Sequence, residues 1–119
     1  MIVAGFGFRS ETTLAALQDA LARAGGAAGV THLATLAAKA PALALLGDAT
    51  GLPVIALAPE ALQGQPTLTR STRVKTLHGT GSVAEAAALA AAGPGARLRG
   101  QRAVSADGTA TAAIAEAKT

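Results

Sequence analysis

The segment HGTGSVAEAAALAAAG, residues 78–93, constrains the fold of this chain more than any other stretch. It predicts a helix closed by Gly93-Pro94-Gly95, with a glycine loop built onto its front end. Alanine dominates the helix as it does the chain. Half of the 119 residues are hydrophobic, yet only 2% are aromatic. The core therefore comes from Leu, Val, Ile and many small Ala contacts, a composition suited to close packing of helices on a sheet. One domain, residues 1–119, has room for one such core.

The remaining segments fit that layered reading. Ile2-Val3-Ala4 opens a short buried strand, stopped by Gly5-Phe6-Gly7. Ser10 stands where an N-cap belongs, with Glu11 in the first turn, and Leu14, Leu17 and Leu21 follow at helical spacing to Gly25-Gly26. Residues 30–36 predict a second strand. Pro41 starts a helix running to Gly51, residues 53–57 form a third strand, and Pro59-Glu60 opens a helical turn. Residues 63–76 are polar and predict a loop with some extended structure. After the alanine helix, residues 96–105 and 109–115 predict two strands around Ala106-Asp107-Gly108, a hairpin signal. The expected fold class is α/β: a single layered domain, a mostly parallel sheet flanked by helices, with a C-terminal antiparallel hairpin.

Charge and composition exclude several functions. The net charge is +3, and Arg70, Arg73, Lys75, Arg97, Arg99 and Arg102 crowd one third of the chain, where Glu85 is the only acid. That local field favours an anionic partner. Nucleic acid is not expected, because Phe6 and Phe8 are the only aromatics available for stacking. Cysteine is absent, which removes disulfides and thiolate metal sites. No metal and no cofactor is expected: His32 and His78 are the only histidines and have no carboxylate at ligand spacing. The first residues lack a basic leader, and Lys39, Pro41, Asp48 and Pro53 break the longest apolar run. A cytoplasmic protein with no membrane partner is expected.

Two loops precede helices, Gly5-Phe6-Gly7-Phe8-Arg9-Ser10 and Gly79-Thr80-Gly81-Ser82. Free N–H groups at helix N-termini bind phosphate or carboxylate, and in open α/β sheets they gather at the carboxyl edge of the strands. Arg9 adds a fork of donors suited to a carboxylate, and Lys39, after the second strand, is expected at the same edge. Ser82-Val83-Ala84-Glu85 also matches the capping box, which makes Glu85 a structural cap. The cap leaves Gly79 and Thr80 unexplained, so that loop remains an anion-site candidate. Neither loop is a nucleotide fingerprint, since the Gly-Lys-Ser/Thr of a phosphate loop is absent and Gly5-Phe6-Gly7 lacks the third glycine. Nothing composes a catalytic triad or a carboxylate pair. Glu85 and His78 are the candidate acid or base if the protein is catalytic.

The order and wording of these motifs resemble the family of the cobalamin-biosynthesis protein CobE and the C-terminal domain of CbiG. The carriers are Gly5-Phe6-Gly7-Phe8-Arg9, Leu33-Ala34-Thr35 with Lys39, Gly51-Leu52-Pro53, the run Gly79-Thr80-Gly81-Ser82-Val83-Ala84-Glu85-Ala86-Ala87-Ala88-Leu89, and the closing Gly108-Thr109-Ala110-Thr111-Ala112-Ala113-Ile114-Ala115. The chain departs from the family at Phe8, where many relatives carry cysteine, and at Ala40-Pro41-Ala42, where an acidic residue often follows the lysine. The resemblance implies a part in building the corrin ring, and the chain's length matches the stand-alone members. It implies binding of a carboxylate-rich precorrin or corrin intermediate, with Gly5, Gly7, Arg9, Lys39, Gly79, Thr80, Gly81 and Ser82 as contacts. The alternatives it leaves open are a hydrolase opening a precorrin lactone and a docking module for other cobalamin-pathway enzymes.

Overall fold

The computed structural model describes residues 1–65, 67 and 82–117. The chain runs through strand β1 (Ile2–Phe8), helix α1 (Leu14–Ala24), strand β2 (His32–Leu36), a 3-10 turn (Ala37–Lys39), helix α2 (Ala40–Thr50), strand β3 (Val54–Leu57) and the short helix α3 (Pro59–Leu62). Helix α4 (Val83–Ala92), strands β4 (Arg97–Leu98) and β5 (Ala103–Val104), and strand β6 (Ala110–Glu116) complete it. The polar stretch expected as a loop lies mostly outside the described residues.

One sheet carries the molecule. Its order is β3-β2-β1-β6-β4, with β5 also paired to β6. β1, β2 and β3 are parallel, whereas β6 runs antiparallel to β1 in the register Ile2↔Glu116 to Phe8↔Ala110. The α/β expectation holds, as does its antiparallel C-terminal part. The hairpin arm before Asp107-Gly108 is broken into β4 and β5, both on the far edge of β6.

Alternation along β1 and β6 sends side chains to two faces. Ala4, Phe6, Ala110, Ala112 and Ile114 meet Leu17, Leu21, Leu43 and Leu46 of α1 and α2. Burying each of those leucines contributes about 1.5–3 kcal/mol. On the opposite face, Val3 and Ala34 meet Ala87, and Ala115 meets Ala88 and Leu89. There the alanine helix lies directly on β1. A Cβ built on Gly5 would run into Ala84 O and Ala88 N and stand 2.9 Å from Ala88 Cβ. The close helix-on-sheet packing expected from composition is therefore realised at Gly5.

Helix boundaries follow the capping chemistry, with one correction. Thr13, not Ser10, caps α1: its Oγ1 accepts from Ala16 N at 3.1 Å. Residues 9–12 are spent first, because Arg9 N–H donates to Thr109 O and Thr12 N–H donates to Arg9 O, which leaves Ser10 exposed on a turn. Gly25 and Gly26 end α1 by donating to Ala22 O and Leu21 O. Gly51 ends α2 with φ +74°, a left-handed conformation that suits glycine.

Candidate functional site

The carboxyl ends of β1 and β2 lie at one edge of the sheet, and the antiparallel β6 begins at that same edge opposite Phe8. α4 starts there as well: a Cβ on Gly7 would lie 3.3 Å from Val83 Cβ. Ser82, fully buried, caps this helix by accepting from Glu85 N at 3.3 Å. Between β1, β5, β6 and the start of α4 lies a cavity of about 340 Å³. Gly7, Arg9, Val83, Arg102, Thr109 and Thr111 are among the residues lining it.

Among the described residues the ion pairs are Arg23–Asp19 and Arg99–Glu116. Arg9 and Arg102, which both line the cavity, belong to neither pair. Lys39 joins the same edge, with Nζ 5.5 Å from the centroid of the Phe8 ring. Phe8 itself lines the cavity. A cation over an aromatic face is held by the ring's quadrupole while its outward donors remain available.

The hydroxyls are also held in place. Thr111 Oγ1 donates to Gly7 O at 3.0 Å. Asp107 accepts from Thr109 N, Thr109 Oγ1 and Ser105 Oγ, which holds its carboxyl below the usual carboxylate range. Thr109 Oγ1 also contacts Thr12 Oγ1 at 2.9 Å. On the far side of the turn, Asp19 accepts from Ala106 N at 2.8 Å and pairs with Arg23, and those interactions lower its pKa. The hairpin tip is thereby fastened both to itself and to α1.

The structure brings Gly7, Arg9, Lys39 and Ser82 to one edge, but Gly5-Phe6-Gly7-Phe8, expected as part of a loop that stops the first strand, belong to strand β1 and pair with β6. Gly5 sits deeper, beneath α4, where the missing side chain lets the helix approach. Gly79, Thr80, Gly81 and His78 lie outside the described residues. Glu85, fully buried, has its Oε2 2.7 Å from Arg102 N. His32 stands at the other end of β2, with Nδ1 2.8 Å from Thr31 Oγ1, and no group of three metal-binding side chains occurs among the described residues. No described helix is long and apolar enough to cross a membrane. Sequence reasoning counted Arg102 in the basic run and Thr109 and Thr111 in the closing family motif, but chose none of the three as a ligand contact. The Asp107-Gly108 hairpin signal announces the pairing of β6 with β5, but no local pattern announces its pairing with β1, which brings these residues to Arg9.

The family described as "Cobalamin synthesis G C-terminus" matches residues 2–115. The crystal structure of CobE, a protein from the cobalamin biosynthetic pathway, superposes with a TM-score of 0.81 at 32% identity, covering 100% of this chain and 92% of that one. The cobalamin biosynthesis protein chiG from Agrobacterium tumefaciens strain C58 gives a TM-score of 0.73 at 36% identity, with 100% of each chain covered. Among curated proteins there is no match.

Proposed function

Because the chain belongs to the family of the cobalamin synthesis G C-terminus and is thus a protein of cobalamin biosynthesis, we propose that it binds a carboxylate-rich corrin or precorrin at the carboxyl edge of its sheet. The observation that carries this reading is the cavity lined by Arg9 and Arg102, neither of which is ion-paired among the described residues. A tetrapyrrole of this pathway carries acetate and propionate arms around its rim. A guanidinium presents parallel N–H donors that match a carboxylate, and two of them at one opening suit two arms of one rim. Lys39 adds donors at the same edge, and Gly79-Thr80-Gly81 precede the helix start in sequence. The polyanion is held by its periphery, with the macrocycle outside the cavity.

The test is an absorbance titration of hydrogenobyrinic acid, and of a lactone-bearing precorrin, with the purified protein. The ligand's own colour is the probe, since the chain has no Trp or Tyr. A saturable shift is expected. A charge-assisted hydrogen bond contributes about 1.5–3 kcal/mol, so Arg9→Ala or Arg102→Ala should weaken binding roughly tenfold or more. Raised salt should weaken it too, because both groups reach solvent. Turnover of the lactone would make the protein an enzyme. No shift with either compound would refute binding and favour docking on another pathway enzyme.

A further inference from the structure

We infer that Glu85 is a positioning residue that sets Arg102 at the ligand cavity, a role that rests on the binding reading above. The far edge of β6 is not followed by a regular strand. Leu98 pairs with Ala115 and Ala103 with Ala112, so the four residues 99–102 stand opposite only two, 113 and 114. Arg99 N–H still donates to Ile114 O. Such a bulge turns the strand and re-aims the side chain where pairing resumes. Arg102 is the last residue before pairing resumes at Ala103, and its N–H donates to Glu85 Oε2 at 2.7 Å.

Glu85 lies in the first turn of α4, where the helix dipole favours an acid, and its own N–H bonds to the capping Ser82. The Glu85 side chain is fully buried, as is the capping Ser82. Its reach across to the bulge ties Val83 and Arg102, two walls of the cavity, through a single side chain. Glu85 thus acts on a bound carboxylate through Arg102.

The test combines titration of hydrogenobyrinic acid with hydrogen exchange of the Arg102 amide. Glu85→Ala and Arg102→Ala should each weaken binding about tenfold, and the double variant no more than about twofold beyond the weaker single one. Glu85→Gln keeps an acceptor oxygen and should retain affinity within about twofold and a slow Arg102 amide. Glu85→Ala should speed that amide's exchange at least about tenfold. Glu85→Asp, one methylene too short for the contact, gives the same test where the alanine variant does not fold. Multiplying losses in the double variant, or an Arg102 amide equally protected without Glu85, would overturn the inference. A shift that Glu85→Ala leaves unchanged overturns the inference alone. No shift with the unsubstituted protein overturns the binding reading and the inference with it.

Discussion

Replacing Gly5 by alanine tests the central contact of the fold. The added Cβ meets two backbone atoms, Ala84 O and Ala88 N, and a third atom, Ala88 Cβ, at 2.9 Å. Ordinary contact begins near 3.4 Å. Backbone atoms cannot rotate aside, so α4 must rise from β1 by at least about half an ångström, loosening Ala87 against Val3 and Ala34. Overpacking of this kind costs about 1–3 kcal/mol, and obstacles made of backbone argue for the upper end. Alanine restores up to about 1 kcal/mol by reducing the freedom of the unfolded strand. The net loss is about 2–3 kcal/mol. An unfolding entropy of about 2.1 cal/mol/K per residue gives about 250 cal/mol/K for a chain of 119 residues, so the midpoint should fall by about 8–12 °C. Far-UV circular dichroism during heating reads this directly. Gly7→Ala is the matched control: its Cβ meets only side chains, Thr111 Oγ1 at 3.2 Å and Val83 Cβ at 3.3 Å. It should cost about 1 kcal/mol, the low end of the same range. A Gly5→Ala midpoint equal to that of the unsubstituted protein, or a Gly7→Ala loss as large, would refute the direct seating of α4 on β1.

Thr13→Ala should lower stability by about 1 kcal/mol through loss of the α1 cap, while Ser10→Ala changes it by less than about 0.5 kcal/mol; urea midpoints separate the two. Ser82→Ala should cost about 1–2 kcal/mol by the same assay, because the α4 cap is buried. Asp19 and Asp107 have folded pKa values below their unfolded values, so the stability they contribute is present above about pH 4 and is lost as pH falls through the folded values. The urea midpoint should therefore drop on acidification below about pH 4, and the drop should be smaller in a variant carrying Asp19→Asn and Asp107→Asn. An acid limb unchanged by the two substitutions would show that the hairpin turn is not fastened by these carboxylates.

Much of this architecture is written locally. Gly51 ends α2, Ser82 begins α4, and the Leu14, Leu17 and Leu21 spacing lies within α1, because caps and helical periods are short-range physics. The start of α1 was misread for an equally physical reason. Ser10 and Thr13 are both competent caps, and the choice fell to Thr13 because Arg9 and Thr12 are held by a distant carbonyl and a turn. Arg9 and Lys39 could be placed at one edge from strand order alone. Arg102 could not, since its position depends on a bulge opposite Ala113 and on a bond from α4, neither of which leaves a periodic trace.

The placement of β6 beside β1 has a consequence for how the molecule is made. Met1 and Ala117, 116 positions apart, exchange two backbone hydrogen bonds, and the two strands between them form the centre of the sheet. A nascent chain that has already formed β1, β2 and β3 still has the inner edge of β1 open and the apolar face of α1 partly uncovered. Contacts of such long sequence separation close slowly, since loop entropy is lost before they are rewarded. The domain therefore becomes native in one late event, when the last strand slots between β1 and the bulged edge. Until then the open edge is a surface for chaperones or for misassembly.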